Sequence, residues 1–513
     1  RSATGREPTS FAWFMAKEHR QTDSHLIYSL KTKERDYFSD GCYLSTMLGQ
    51  LLKNVKIEGI DAHGQAFGRF SGGLIFIEKG VPGDVVDVQA IRLSKGEQST
   101  FRGRIIRLIE PAATRIDPFC EHFEHCGGCQ WQQVSYAEQL LIKQKQVRQL
   151  LERHLPPGST LPPVVPSPLE KHYRNKIVFT FSNRRWMTPE EKSDPNTILR
   201  PAAGYVMRGK YDHALEIRRC DIAPLSAIEL LHAFRDFSLE TGISFYDMRK
   251  ERGTLRQLMV RYADDGAVLL GIVFGEYRKD ALDLLLDMVQ RRFPQVRSVW
   301  RFDNPKKDGN ISDLKPIHVW GEEVLPITLL GLRFDMHPGS FFQTNTLQTE
   351  QLYRTAIDFC GLTGRETVFD YYSGTGTIAL SAARKAKKVV GLEFVPEAVE
   401  QAYRNAQVNG ISNADFLAGD LKDLVQGEQI ASFGRPDIVI TDPPRAGMHR
   451  NVNQSLIRLL PEKIVYISCN PKTQERDVRI LSEHYQLDRI QPFDMFPHTQ
   501  HVENIALLIR RND

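Results

Sequence analysis

The chain has 513 residues, too many for one ordinary core, so two or three domains are expected. Its 41% hydrophobic and 25% charged residues are average for a globular protein, and its longest apolar run, Ala267 to Phe274, is too short to cross a bilayer. A formal charge of +4 permits a nucleic-acid partner without requiring one, and seven cysteines in so long a chain argue against a secreted disulfide framework.

Residues 1–46 are polar and without sustained period, and are expected to form a poorly structured extension. They show no basic start followed by an apolar core, so the expected compartment is the reducing cytoplasm. From residue 48 to 112 short β-rich runs (Val55 to Ile60, Leu74 to Ile77, Val85 to Ile91, Phe101 to Ile106) alternate with Gly, Pro and Asp turns. This pattern predicts a small OB-like barrel with Arg69 and Lys79 near its turns. The cysteine-rich stretch "CEHFEHCGGCQWQ" follows, then a predicted helix from Tyr136 to His154 and the Pro-rich "LPPGSTLPPVVPSP", which reads as a boundary.

Residues 113–335 mix predicted strands (Ile177 to Ser182, Leu255 to Arg261, Ala267 to Phe274, Val296 to Trp300) with a helix near Arg278 to Phe293, an α+β pattern. Over residues 336–513 strands alternate with helices, and the apolar runs end in polar or small residues. That is the pattern of an α/β, Rossmann-like, doubly wound domain with its site at the carboxyl edge of the sheet.

In "VFDYYSGTGTIAL" a strand ends at Asp370 and a Gly-containing turn opens a helix near Thr377, which suits a nucleotide-like ligand. Glu393, ending the next strand, can accept from ribose hydroxyls, an arrangement shared by dinucleotide and S-adenosylmethionine sites. "ITDPPRAG" favours the methyl donor, since nucleic-acid methyltransferases place such an acidic, proline-stiffened loop beside donor and target base. Cys469 in "IVYISCNPKTQERD" ends an apolar strand at the same edge, and "FDMFPHTQHVENIALL" offers Glu503 as a base, with His498 and His501 as loop-positioning, phosphate-binding or space-filling residues.

Cys120, Cys126 and Cys129 lie close together and Cys220 follows at a distance. Four thiolates can hold zinc or a [4Fe-4S] cluster, and three clustered cysteines plus one remote favour iron-sulfur. Cys42 and Cys360 read as ordinary thiols, and Arg102, Arg104, Arg107, Arg174 and Lys176 are candidate phosphate contacts.

Taken together, "GSFFQTN", "DYYSGTGT", "TDPPRAG", "YISCNP" and "DMFPHTQHVE" resemble the bacterial RNA uracil-5-methyltransferase family over residues 48–513. The resemblance implies that Gln343, Tyr372, Thr377, Glu393 and Asp442 contact S-adenosylmethionine. It makes Cys469 the nucleophile, Glu503 the general base and Arg445 a neighbour of the target base. Thr377 departs from the Asn common in the family. A barrel together with a cysteine cluster is most similar to the enzymes that methylate a uracil of 23S ribosomal RNA and carry a TRAM barrel and a [4Fe-4S] cluster. On this reading the protein is a monomer whose partner is RNA. Transfer RNA enzymes, an inactive RNA-binding assembly factor and a cytosine methyltransferase are the alternatives, and the intact Cys469 and Glu503 argue against the second. For Cys469 to act as a thiolate near neutral pH, the site is expected to lower its pKa.

Overall fold

The computed structural model describes residues 49–61, 64–94, 99–207 and 210–511; the expected extension, with Cys42, lies outside them. Strands β1 (Gln50–Ile60), β2 (Ala66–Phe70), β3 (Gly73–Glu78), β4 (Val85–Arg92) and β5 (Thr100–Glu110) close into a barrel in the order β1-β2-β3-β5-β4. Alternating residues such as Val55, Ile57, Ile75, Ile77, Val86 and Val88 fill it. Strand β2, absent from the sequence reading, is short and interrupted by Gly68, where a Cβ would stand 2.5 Å from the Lys56 carbonyl oxygen. The glycine that hid the strand lets its neighbour approach.

The central sheet runs β12-β11-β10-β9-β6-β7-β8. Its strands are β6 (Lys176–Ser182), β7 (Ala202–Met207), β8 (Lys210–Glu216), β9 (Leu255–Tyr262), β10 (Val268–Phe274), β11 (Val296–Asp303) and β12 (Ile317–Gly321). Helices Leu225–Glu240 and Lys279–Arg292 cover one face, burying Leu230, Leu231, Phe234, Leu285 and Val289. The first of these helices, with β7, β8 and β12, was not anticipated. A hairpin, β13 (Leu325–Leu329) and β14 (Leu332–Met336), leads into the last sheet.

That sheet comprises β15 (Thr367–Tyr371), β16 (Lys388–Glu393), β17 (Ala414–Ala418), β18 (Ile438–Thr441), β19 (Lys463–Ser468), β20 (Tyr485–Phe493) and β21 (Glu503–Arg510). Its order is β17-β16-β15-β18-β19-β21-β20, with β15 to β19 parallel and β21 antiparallel to both neighbours. Strand order reverses between β15 and β18, and ligands in such sheets settle at the carboxyl ends beside that switch point. Apolar layers lie on both faces, one around Val368, Ile440 and Val465, the other around Phe369, Val439 and Tyr466.

Two segments placed before the central sheet in the chain are built into this last one. Helix Tyr136–Leu151 contributes Val147 and Leu151 to the second apolar layer, together with Leu161. The Pro-rich stretch is held at Val165, whose N–H donates to the Pro492 carbonyl at 2.9 Å and whose carbonyl accepts from Asp494 N–H at 3.0 Å. No helix among the described residues is long and apolar enough to cross a membrane.

Candidate active site

Parallel strands deliver their last residues to one edge, so Tyr372, Glu393, Asp442 and Cys469 gather there although they are far apart in sequence. Tyr372 and Gly376 adopt φ of +65° and +81°, bending the chain away from β15 into helix Thr377–Ala383. At Gly376 a Cβ would also press on the Phe416 ring at 3.0 Å, so glycine is required twice over. The Glu393 carboxylate braces the turn, accepting from Gly374 N–H and Val395 N–H, each at 2.9 Å. Its remaining lone pairs are free to accept from ligand hydroxyls.

The site is rich in carboxyl groups. Asp370, 1% exposed, is held far above the usual carboxylate range by burial and by Asp442 and Glu393, which the Ala379 backbone N–H only partly offsets. Burial pushes Asp442 up to about 7, and burial with Asp442 nearby pushes Glu503 up to about 8. Ser373 Oγ and Thr441 Oγ1 at this edge are buried with no hydrogen-bond partner among the described residues. An acidic pocket of this kind, short of cations and holding unused polar atoms, fits a positively charged ligand with hydroxyl groups.

Antiparallel pairing of β19 with β21 sets Ser468 opposite Asn504, so the following residue, Cys469, comes beside Glu503. Burial first, then Glu503 and Asp442, push the Cys469 thiol up to about 11; Arg445 opposes them. The expected lowering of this pKa is therefore corrected: in the protein alone the thiol is protonated at neutral pH, because burial, aided by two carboxyl groups, outweighs the single guanidinium. Cys469 opens on a cavity of about 210 Å³ lined by Gln146, Leu150, Arg445, Gln500, His501 and Val502. Arg445 Nη2 lies 3.4 Å from the His501 ring nitrogens, and its carbonyl accepts from Asn470 Nδ2 at 3.0 Å. Burial and Arg445 pull His501 down to about 4, leaving it neutral.

The other three expected donor residues, Tyr372, Thr377 and Gln343, have surroundings of their own. The Tyr372 ring packs against the second apolar layer, and burial pushes its phenol well above the usual range. Thr377 opens the helix Thr377–Ala383 at this edge, and the Gln343 carbonyl accepts from Asn175 Nδ2 at 2.9 Å. Two residues that shape the site escaped the sequence reading. Lys143 and Asp494 form an ion pair at 2.6 Å with both side chains fully buried, at the base of the loop leading to Glu503. Lys143 reads as one more charge on a polar helix, and its partner is 351 residues away.

Cys120, Cys126, Cys129 and Cys220 line one cavity of about 520 Å³ with Arg174, Lys176 and Arg219. Gly128 N–H points at Cys126 Sγ and Tyr205 O–H at Cys220 Sγ, both at 3.5 Å. Burial leads the causes that raise the thiols, to about 11 at Cys120 and about 12 at Cys129, with neighbouring cysteines adding to it. Among the described residues no group of three or more His, Cys, Asp or Glu side chains converges as a metal-ion site. Arg174 and Lys176, candidate phosphate contacts, line this cavity.

A tRNA (uracil-5-)-methyltransferase family model matches residues 317–511. An uncharacterized RNA methyltransferase of Bacteroides thetaiotaomicron is 41% identical over 87% of this chain and 99% of its own length. One of Porphyromonas gingivalis is 40% identical over 90% of this chain and 100% of its own. Among solved structures, the Pyrococcus abyssi tRNA (uracil-54, C5)-methyltransferase in complex with S-adenosyl-L-homocysteine aligns with a TM-score of 0.69 and 28% identity. The alignment covers 89% of this chain and all of that one. The relatives match over most of the chain and the family model over the last sheet, whose edge brings Cys469 to Glu503, and on them the chain belongs to the S-adenosylmethionine-dependent RNA (uracil-C5) methyltransferase family.

Proposed function

We propose that the protein converts a uridine of 23S ribosomal RNA to 5-methyluridine, with Cys469 as nucleophile and Glu503 as general base. The observation that carries this reading is the Cys469–Glu503 adjacency at the switch-point edge, beside a cavity for a flipped base. Carbon 5 of uracil is a weak nucleophile; the Cys469 thiol gives its proton to solvent, and its sulfur, adding to carbon 6, turns the ring into an enolate whose carbon 5 can accept a methyl group. S-adenosylmethionine, when bound, supplies that methyl as an electrophile and brings net positive charge. Methyl transfer leaves S-adenosyl-L-homocysteine; Glu503 then takes the carbon 5 proton, the carbon 6–sulfur bond breaks to restore the ring double bond, and the released Cys469 thiolate takes that proton from Glu503 to restore the thiol. Glu393 and Asp442 hold the donor, with Gln343, Tyr372 and Thr377 shaping its pocket, and Arg445 faces the target base and counters the charge of the Cys469 thiolate.

The four cysteines suit a [4Fe-4S] cluster. They share one cavity, receive the N–H and O–H donors that thiolate sulfurs accept, and face cations that offset their charge. Cys120, Cys126, Cys129 and Cys220 would hold it, and methyl transfer needs no electron from it. The barrel over 48–112 is TRAM-like and presents exposed Arg104 and Arg107 to RNA, whereas Arg69, Lys79 and Arg102 are paired with Glu58, Glu124 and Glu78. Residues 113–335 form the cysteine-bearing central domain and 336–513 the methyltransferase domain. A transfer RNA substrate is the second reading, favoured by the likeness to the Pyrococcus abyssi enzyme along most of the chain. Incubation with labelled methyl donor and unmodified 23S, 16S or transfer RNA, followed by nucleoside analysis, decides between them. 5-Methyluridine in 23S RNA supports the first reading, product in transfer RNA alone the second, and no product in any RNA contradicts both.

A further inference from the structure

His498 stands between two parts of the molecule that the chemistry treats separately. Its carbonyl accepts from the backbone N–H groups of Gln130 and Trp131 at 2.9 and 3.1 Å, the two residues that follow Cys129. Its own N–H donates to Gln139 Oε1 at 2.9 Å. The ring is 4.9 Å from that of Phe119, which precedes Cys120. Ring Nδ1 lies 3.2 Å from Gln139 Nε2, and Nε2 lies 3.1 Å from the Glu170 carbonyl. Nε2–H donates to the Glu170 carbonyl, while the two hydrogens of Gln139 Nε2 are shared among the Trp131 and Val134 carbonyls, at 3.0 and 2.9 Å, and His498 Nδ1. At 4% exposure and a φ of +63°, the residue holds a conformation uncommon for non-glycine residues, fixed by contacts on every side.

The segment that follows carries this order to the cavity beside Cys469. Thr499 Oγ1 donates to the Phe496 carbonyl at 2.8 Å and accepts from His501 N–H at 3.3 Å. Gln500 then lies against Gly64 of the barrel, where a Cβ would stand 2.2 Å from Gln500 Oε1. Gln500, His501 and Val502 form one wall of the cavity.

We propose that His498 is a positioning residue which sets the wall of the target-base cavity by tying it to the cysteine-bearing segment. This rests on reading that cavity as the base pocket of Cys469. His498 touches neither the donor edge nor the reacting atoms, so its loss spares donor binding and slows addition of Cys469 to the base.

The test uses the full-length protein as purified with its metal, comparing His498→Val, His498→Asn and the wild type. Valine lacks both hydrogen-bonding functions and is strained at this φ, whereas asparagine has an acceptor and a donor and tolerates it. Calorimetry gives donor affinity, and RNA containing 5-fluorouridine, which traps the covalent complex, gives the rate of Cys469 addition. The expected result for valine is unchanged metal content, donor affinity within about twofold and addition slowed about tenfold or more, with asparagine restoring most of the rate. If the valine variant melts before the assay, Gln139→Leu, which removes the ring's acceptor partnership, is expected to show the same split. Wild-type addition in the valine or leucine variant, or equal loss of donor binding and addition, overturns the proposal. Adduct formation by Cys469→Ala would instead overturn the underlying reading of the site.

Discussion

For Cys469 as the proposed nucleophile two demands compete: the thiol would have to become a thiolate, yet burial and two carboxyl groups hold its proton on. The same carboxyls create a site that a cationic donor relieves. Asp442 at about 7 and Glu503 at about 8 are substantially protonated at neutral pH in the free protein, and a cation prefers their ionised forms. The sign follows: affinity for S-adenosylmethionine rises as pH rises from 6 to 8, and binding releases protons. Calorimetry in buffers of different ionisation enthalpy measures this, and pH-independent affinity without proton release contradicts it. With Glu503 as the proposed base, Glu503→Gln keeps the addition step but removes proton abstraction. A methylated covalent RNA adduct is expected to accumulate on gels while turnover falls by about 10²-fold or more. Both residues were legible because each sits where an apolar strand meets polar sequence. Their protonation was not, since it depends on Asp442 and Arg445, which only the fold brings near.

The loop between β20 and β21 is an element held by others. Its Asp494 pairs with Lys143 of helix Tyr136–Leu151, and its Met495 carbonyl accepts from Asn345 Nδ2 at 3.0 Å. Lys143→Met strands a buried carboxylate, which typically costs about 3–5 kcal/mol, whereas Lys143→Met with Asp494→Asn removes both charges and costs less. Denaturant melts of both variants check this ordering; equal losses contradict it. The helix was legible from its sequence pattern, but its partner was not, because periodicity says nothing about what a helix packs on. Strand β2 failed for another reason, being five residues long with a glycine at its centre. Helix Leu225–Glu240 lies in a stretch whose apolar residues also support strands, and neighbouring packing decides between the two.

Across the whole molecule, a sheet-edge site and a cysteine cavity are joined by residues drawn from every part of the chain. The barrel reaches the catalytic side through Asp61, whose carbonyl accepts from Gln146 Nε2 at 3.1 Å, and Gly64, whose carbonyl accepts from Trp131 Nε1 at 3.3 Å. Cys129→Ser combined with Cys220→Ser is expected to abolish broad visible absorption in anaerobically purified protein while leaving S-adenosylmethionine binding measurable; retained absorption counts against the cluster. The order of barrel, cysteine segment and doubly wound sheet was readable from motifs and turns. That the Pro-rich stretch is pinned to β20 was not, since two backbone hydrogen bonds at Val165 leave no mark on composition.

The most direct test of the central claim is peptide mapping of the covalent complex formed with 5-fluorouridine RNA and S-adenosylmethionine. The account predicts a methylated nucleotide on the peptide containing Cys469 and none with Cys469→Ala. Attachment at another residue, or an undiminished adduct in that variant, would contradict it.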